Sequence, residues 1–211
     1  MSRPPRCWVP GGIYHLTMRG NNRQAIFLDA ADHRQYLLLL HQCRLQYPYR
    51  LLVFALMTNH VHLLMETIPE SAPSEAMRWI GTSYTRYFNE RHRRSGHLYQ
   101  GRFYSNVVGR DAYLLEVSRY IHLNAFRARL VQQPVDYPWS SYRSYLNLEH
   151  DPWNLVERER VLSYFGTSTT ERVSRYQRFV EELAQQELEL ERWERRLRRD
   201  KLIPPARWLK K

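Results

Sequence analysis

Residues 51–66 constrain the fold of this chain more than any other stretch. An apolar run reaches Met57, a short polar connection follows (Thr58-Asn59), and a second, mostly apolar run begins there. Two short apolar runs joined by a turn are typical of neighbouring buried β-strands. The second run carries His60 and His62, and a strand alternates its side chains between two faces. Both histidines therefore project from the same face.

Two imidazoles on one strand face can hold a divalent metal ion between them. Burial without a partner would instead leave their ring nitrogens away from water. A pair of hydrogen-bonded core histidines is the alternative, because His-x-His is a short and common pattern. Taken alone, the pair leaves both interpretations open.

The flanking segments supply the remaining elements of one domain. Strands are predicted over 13–18, 51–57, 59–66 and 102–108, and helices over about 30–46, over 73–91 and from Asp111 onward. Asp29 is a candidate cap for the first helix. This order predicts an α+β fold, a split β-α-β (ferredoxin/RRM-like) sandwich with a four-stranded antiparallel sheet.

The pattern weakens after residue 131. Pro134, Pro138 and the segment 139–142 (Trp-Ser-Ser-Tyr) predict an ordered loop that packs back on the domain. Further helices are predicted over about 154–165 and 170–199. We therefore divide the chain into a domain at residues 1–148 and a basic C-terminal helical extension at residues 149–211.

The charge is strongly positive and unevenly distributed. The formal net charge is +11, of which residues 1–110 contribute +8, residues 111–165 contribute −1 and residues 166–211 contribute +4. Such an excess indicates a polyanionic partner. The extension ends in a basic run, residues 195–199, which is typical of a solvated helix face or of a nucleic-acid-binding arm.

Cysteine usage and hydropathy predict the compartment. The two cysteines, Cys7 and Cys43, form no C-x-x-C motif, so a disulfide framework or a cysteine-ligated zinc site is excluded. No signal peptide is expected at the N-terminus, and no run approaches the roughly 18 apolar residues of a membrane span. We expect a cytoplasmic, nucleoid-associated protein with no membrane partner.

The third helix carries two stripes at helical spacing. Its apolar stripe, which must face the sheet, comprises Leu114, Val117, Ile121, Ala125 and Ala128. Its polar stripe comprises Tyr113, Glu116, Tyr120, Asn124 and Arg127. Tyr120 and Asn124 are four residues apart, so their side chains meet.

Together with the histidine pair, this stripe indicates phosphoryl transfer. An ordinary phenol has a pKa near 10 and is a weak nucleophile at neutral pH. A phenol attacks a phosphodiester effectively when a divalent ion withdraws charge from the phosphate and holds the bond in line. Tyr120 is the candidate nucleophile because it shares its stripe with a potential ligand.

These motifs also carry a family resemblance. Residues 59–64 (Asn-His-Val-His-Leu-Leu) resemble the histidine element of the HUH single-strand endonucleases, and residues 113–124 resemble their single-tyrosine helix. Residues 14–21, 96–103 and 139–142 are similar to blocks of the REP-associated tyrosine transposases. The resemblance spans residues 4–145, with the motifs in the family's order and spacing.

The resemblance implies a metal-dependent DNA endonuclease and strand transferase. Its substrates would be single-stranded hairpins of REP-type palindromic repeats, and its covalent intermediate a 5′-phosphotyrosine at Tyr120. The implied metal is Mg²⁺ or Mn²⁺, with His60, His62 and Asn124 as ligands. The implied assembly is a monomer or a homodimer. Candidate DNA-binding residues are Arg19, Asn21, Arg91, Arg93, Arg94 and Arg102.

The chain departs from the family at one position. Proline usually follows the asparagine, and here Ala125 stands in its place. Proline disfavours helical geometry at the preceding residue, so with alanine the helix is expected to run on and shift Asn124. His15 and Glu66, on strands that neighbour the site, are the alternative ligands.

Two other functions remain open from the sequence. The same sandwich serves as a non-catalytic, RRM-like nucleic-acid-binding module, which stacks bases on aromatic side chains of its central strands. Here the corresponding strand carries histidines. A metal-dependent phosphoesterase that uses water would need more carboxylate ligands than this sequence offers.

Overall fold

The computed structural model describes residues 8–69, 72–109, 111–149, 151 and 153–199, the last nine of these by their backbone alone. The strands are β1 (Ile13–Arg19), β2 (Tyr49–Met57), β3 (His60–Thr67) and β4 (Tyr104–Val108). The helices are α1 (Ala30–Gln46), α2 (Pro73–Arg91), α3 (Asp111–His122), α4 (Asn124–Arg127), α5 (Tyr142–Tyr145), α6 (Glu159–Leu162) and α7 (Thr169–Arg199).

The four strands form one antiparallel sheet in the order β2-β3-β1-β4, which confirms the α+β split β-α-β fold. In the central pair, Thr17 lies opposite His62 and Arg19 lies opposite His60. Directly opposite residues of an antiparallel pair project from the same face. These four side chains therefore share one face of the sheet.

Helices α1 and α2 pack together on the opposite face. The carboxylate of Asp29 accepts hydrogen bonds from the N–H groups of Ala31 and Asp32, which confirms it as the α1 cap. A Cβ on Gly81 would lie 2.8 Å from Cε of Met18, so glycine allows α2 to approach β1 closely. The packed helices thus lie on the side of the sheet away from the histidines.

The outer edge of β2 is covered by later segments of the chain, the first of which contains Trp139 and Ser141. The N–H of Leu56 donates to the carbonyl of Trp139 (2.8 Å), and the N–H of Ser141 donates to that of Phe54 (3.0 Å). The loop predicted around the Trp-Ser-Ser-Tyr segment therefore packs back on the domain, as expected. Covering an edge strand in this way removes a site of unwanted strand pairing.

The prediction of a helix over about residues 154–165 is wrong for the first half of that range. Val156 forms a parallel bridge with Leu51, and the N–H of Glu157 donates to the Leu51 carbonyl (2.8 Å). Because that pairing requires extended backbone, α6 begins only at Glu159, and a 3₁₀ turn continues to Phe165. Burial against β2 decides this segment rather than its helical periodicity.

The first half of α7 is part of the domain core. Tyr176 and Val180 are fully buried, and Ala184 is nearly so. The Tyr176 hydroxyl lies 2.8 Å from Nδ1 of His122 and donates to Oγ of Ser118 (3.2 Å). The residue 148/149 boundary stays a prediction, but the extension shares its hydrophobic core with the domain.

Two sequence features bear on what lies outside this core. The basic run at residues 195–199 falls where no side chains are described. None of the described helices combines the length and apolar character that a membrane crossing requires.

Because Tyr176 is buried and bonded, Tyr176→Ala should lower the free energy of unfolding by about 3–5 kcal/mol. Tyr176→Phe should lower it by about 1–3 kcal/mol, since His122 loses a partner while the ring volume remains. Urea unfolding measures both. The control is Leu190→Ala, an exposed site on the same helix, with an expected change within about 0.5 kcal/mol. Equal effects of Tyr176→Ala and Leu190→Ala would contradict the core role of α7.

Candidate active site

The histidine pair lies at the start of β3, on the face that α3 covers. The rings of His60 and His62 are 4.8 Å apart between centroids and nearly perpendicular. His62 is buried, with 5% of its surface exposed, whereas His60 is half-buried. The alternation of side chains along the strand thus brings the two imidazoles together, as the sequence predicted.

Both imidazoles are held neutral. Burial, followed by the charge of Arg19, lowers the pKa of His60 to about 4. Burial and the neighbouring histidines lower the pKa of His62 to about 2. Neutral imidazole is the form that binds a metal ion.

The hydrogen bonds of the pair orient its rings. Nδ1 of His60 lies 2.7 Å from Oδ1 of Asn59, which can only accept, so Nδ1 carries the proton. Nδ1 of His62 lies 2.9 Å from Nε2 of His15 and 3.2 Å from Oγ1 of Thr17. Within the described part of the chain, neither Nε2 has a hydrogen-bond partner. Two Nε2 atoms with their opposite nitrogens engaged are a suitable donor set for a divalent ion.

Helix α3 places Tyr120 against this pair. The Tyr120 ring is 5.6 Å from the ring of His62 and 6.0 Å from that of His15, with edge-to-face geometry in both cases. Tyr120 is 41% exposed, so a substrate can approach it from solvent. The tyrosine and the histidine pair thus lie together within one chain.

The helix does not run on unbroken past Asn124. α3 ends at His122, Leu123 forms a turn, and α4 begins at Asn124. The Asn124 side chain donates through Nδ2 to the Tyr120 carbonyl (2.9 Å). Its amide therefore bonds its own helix, and its Oδ1 is the atom that could serve as a ligand. The expectation of a continuous helix at Ala125 was wrong only in part. A turn at Leu123 interrupts the helix even without proline, but Leu123 keeps right-handed helical angles and its carbonyl accepts from the N–H of Arg127 (2.9 Å).

The two alternative ligands differ in position. His15 contacts His62 directly through its ring nitrogen. Glu66 lies four residues further along β3, roughly 13 Å away at the usual strand rise, and it pairs with Arg50 (3.2 Å) and Arg160 (3.4 Å). In the described ranges no three His, Cys, Asp or Glu side chains converge as a metal-binding group. The protein itself thus offers the histidine pair plus polar neighbours.

Two of the candidate DNA-binding residues lie close to the histidines. Arg19 projects from the histidine face opposite His60. The N–H of Asn21 donates to the Leu98 carbonyl (2.8 Å), and that of Gln100 donates to the Arg19 carbonyl (3.0 Å). Two of the sequence blocks that carry the family resemblance, residues 14–21 and 96–103, therefore contact each other.

The arginines at the end of α2 are not equivalent. Arg91 pairs with Asp29 (2.6 Å) and with the fully buried Asp32 (2.5 Å). Arg94 donates to Gln24 (2.9 Å), whereas Arg93 is exposed. Since Arg91 is already paired with two carboxylates, Arg93 is the better candidate for a phosphate contact among these three.

The sixth candidate, Arg102, lies on another surface. It lines a cavity of about 730 Å³ between α2 and the loop that precedes β4. Arg78 and Arg86 line the same cavity, so the positive charge extends onto the face opposite the histidines. The structure thus places the candidate DNA-binding residues in two regions.

Sequence reasoning missed two side chains at the candidate site, one beside His62 and one beside Arg127. Thr17 could have been found, because it lies two residues after His15 on the same strand face. Glu187 gave no signal: it lies in the extension, yet it pairs with Arg127 (2.6 Å), whose guanidinium is 5.4 Å from the Tyr120 ring. Only the packing of α7 against α3 brings Glu187 to the site.

Comparisons with known proteins agree with this fold. The family model described as "Transposase IS200 like" matches residues 9–124. A Haemophilus influenzae protein, provisionally named a REP-associated tyrosine transposase, is 27% identical over 164 residues, which cover 72% of this chain and 92% of that protein. A solved REP-associated tyrosine transposase, bound to a REP hairpin, has a TM-score of 0.61 at 18% identity, covering 73% of this chain and 90% of that one.

The fold and the family model together define a transposase. The chain belongs to the IS200-like transposase family, whose model matches more than half of its length, from residue 9 to Asn124. The resemblance to the REP-associated tyrosine transposases, inferred from the sequence motifs, is confirmed.

The ion pairs of α2 lead to a test with opposite outcomes for two arginines. Arg91→Gln should lower the urea midpoint, because buried Asp32 loses a donor, and should leave the salt dependence of DNA binding unchanged. Arg93→Gln should leave the midpoint unchanged and reduce the slope of log K against log salt by about 0.7–0.9, the value for one phosphate. An unchanged slope for Arg93→Gln would remove this residue from the DNA interface.

Proposed function

We propose that this transposase cuts and rejoins single-stranded DNA through a covalent bond to Tyr120. The observation that carries the proposal is the position of the exposed Tyr120 ring, 5.6 Å from the buried ring of His62 in the same chain. A DNA phosphodiester can approach from solvent a phenol that is held beside neutral imidazoles.

The reaction is an in-line exchange of phosphate esters. A bond forms between the Tyr120 oxygen and phosphorus as the bond from phosphorus to the 3′ oxygen breaks. The phenol loses its proton, and the departing 3′ oxygen gains one, leaving a 5′-phosphotyrosine and a free 3′ hydroxyl. Attack by another 3′ hydroxyl reverses these changes and joins two strands.

His60 and His62 would hold a divalent ion, Mg²⁺ or Mn²⁺, through their Nε2 atoms. The engaged Nδ1 atoms, the lowered pKa values and the shared strand face all favour this role over that of core histidines. Oδ1 of Asn124 is the further ligand that the family resemblance suggests. When bound, the ion supplies charge withdrawal at the phosphate.

Single-stranded DNA with a hairpin of the REP type is the proposed substrate. Two features support it: the positive charge of residues 1–110, and Arg19 beside the histidines. A related fold has been solved with a REP hairpin bound. Arg19 can contact the phosphate next to the scissile one, since it projects from the same face as His60.

Removal of one oxygen atom tests the nucleophile. Tyr120→Phe should abolish strand cleavage and the covalent adduct, because water lacks the fixed in-line approach of the phenol. Packing and DNA affinity should barely change, since the ring remains. A denaturing gel detects the adduct on a hairpin oligonucleotide with a labelled 3′ end.

Tyr113→Phe, on the same polar stripe two turns earlier, is the matched control and should retain cleavage. Mass spectrometry should place the DNA on a peptide that contains Tyr120, attached through its 5′-phosphate. Release of product without an adduct would favour a hydrolase. Binding with neither adduct nor product would favour the RRM-like binding module.

The assignment of His60 and His62 as metal ligands is tested by substituting them, and by removing the metal ion and adding it back. His60→Ala and His62→Ala should each reduce adduct formation by at least about 100-fold, the loss of several kcal/mol of charge stabilisation. Both should also lose Mn²⁺ binding in titration calorimetry, with hairpin affinity largely retained. EDTA should abolish cleavage by the unmodified protein. Added Mg²⁺ or Mn²⁺ should restore its cleavage but not that of the variants. Full cleavage in EDTA would exclude a metal role.

A further inference from the structure

A cavity of about 410 Å³ lies between α3 and α7, next to Tyr120. It is lined by His15, Tyr113, Val117, Tyr120, Arg119, Arg127 and Leu183 of α7, and by Glu116, whose carboxylate accepts a hydrogen bond from Arg119 (2.5 Å). The volume is within the usual range of about 300–1,000 Å³ for small-molecule sites. We call this cavity the α3–α7 pocket.

Helix α7 fixes the walls of the pocket. Glu187 accepts two hydrogen bonds from Nε and one from Nη2 of Arg127, between 2.6 and 3.2 Å. The Arg119 guanidinium stacks 4.1 Å from the Phe179 ring and donates to the Phe179 carbonyl (3.3 Å). Bidentate and stacked arginines lose little further freedom when a ligand binds. The pocket is therefore preformed.

The chemistry of the pocket suits an unpaired nucleobase. Tyr113 and Tyr120 are 46% and 41% exposed, so their rings are open to stacking. Arg127 also lines the pocket, and its guanidinium can donate to an acceptor of the ligand, such as a base carbonyl.

We propose that the α3–α7 pocket receives the base of the nucleotide that becomes linked to Tyr120. The Tyr120 ring is itself a wall of the pocket, and only a sugar separates a base from its 5′-phosphate. This inference rests on the proposed function. It adds that the protein, through α3 and α7, reads the base on the 3′ side of the cleaved bond.

The test uses hairpin oligonucleotides that differ only at this nucleotide, which carries either a base or an abasic sugar. With the unmodified protein, the abasic substrate should form the adduct about tenfold more slowly, since one base–aromatic contact is lost. Leu183→Trp fills the pocket, so its rates on the two substrates should be equal. Leu190→Trp, exposed on the same helix, should behave like the unmodified protein.

A second variant and a fluorescence signal distinguish failure of the pocket inference from failure of the proposed chemistry. Tyr113→Ala truncates an exposed ring without disturbing the core. It should also reduce the difference in the rate of adduct formation between the two substrates. In the Tyr120→Phe protein, which cannot cleave, 2-aminopurine at the same position should change its emission on binding, and Leu183→Trp should remove that change. If Leu183→Trp and Tyr113→Ala both keep the full difference in rate between the two substrates, the inference is wrong. An emission change without any adduct in the unmodified protein would reject the proposed chemistry and support the pocket.

Discussion

The register between β1 and β3 is the constraint on which the rest of the site depends. It sets Thr17 opposite His62 and Arg19 opposite His60, so that a hydrogen-bond partner and a cation flank the imidazoles on one face. A slip of one residue would turn the histidines toward α1 and α2. The register is held because the alternate residues of β1, including fully buried Leu16, must fill the core on the other side.

The position of the candidate nucleophile follows from packing on the far side of its helix. Leu114, Val117 and Ile121 are buried, which leaves Tyr120 turned toward the edge of the histidine site. His122 then fixes the end of α3, since its two ring nitrogens bond Ser141 and Tyr176 at 2.8 Å each. Burial lowers the pKa of His122 to about 3, so this core histidine is neutral.

The C-terminal extension has two physical roles in the described part of the chain. Its first half completes the core through Tyr176 and Val180. Further along, Leu183 lines the cavity beside Tyr120, and Glu187 holds Arg127 in place. A helix that appears in the sequence as a charged appendage thus shapes the space next to the site, because its apolar residues are buried against α3.

The sequence alone determined the sandwich, the paired histidines and the candidate tyrosine. Strand and helix periodicities are local properties, and the order of the elements permits few topologies. The sequence could not determine the contacts of His15, the ion pairs of Arg91, the extended backbone at Val156 or the position of Glu187. Each of these depends on residues far apart in the chain, and local periodicity carries no information about such pairings. Tertiary packing therefore decided which polar groups surround Tyr120.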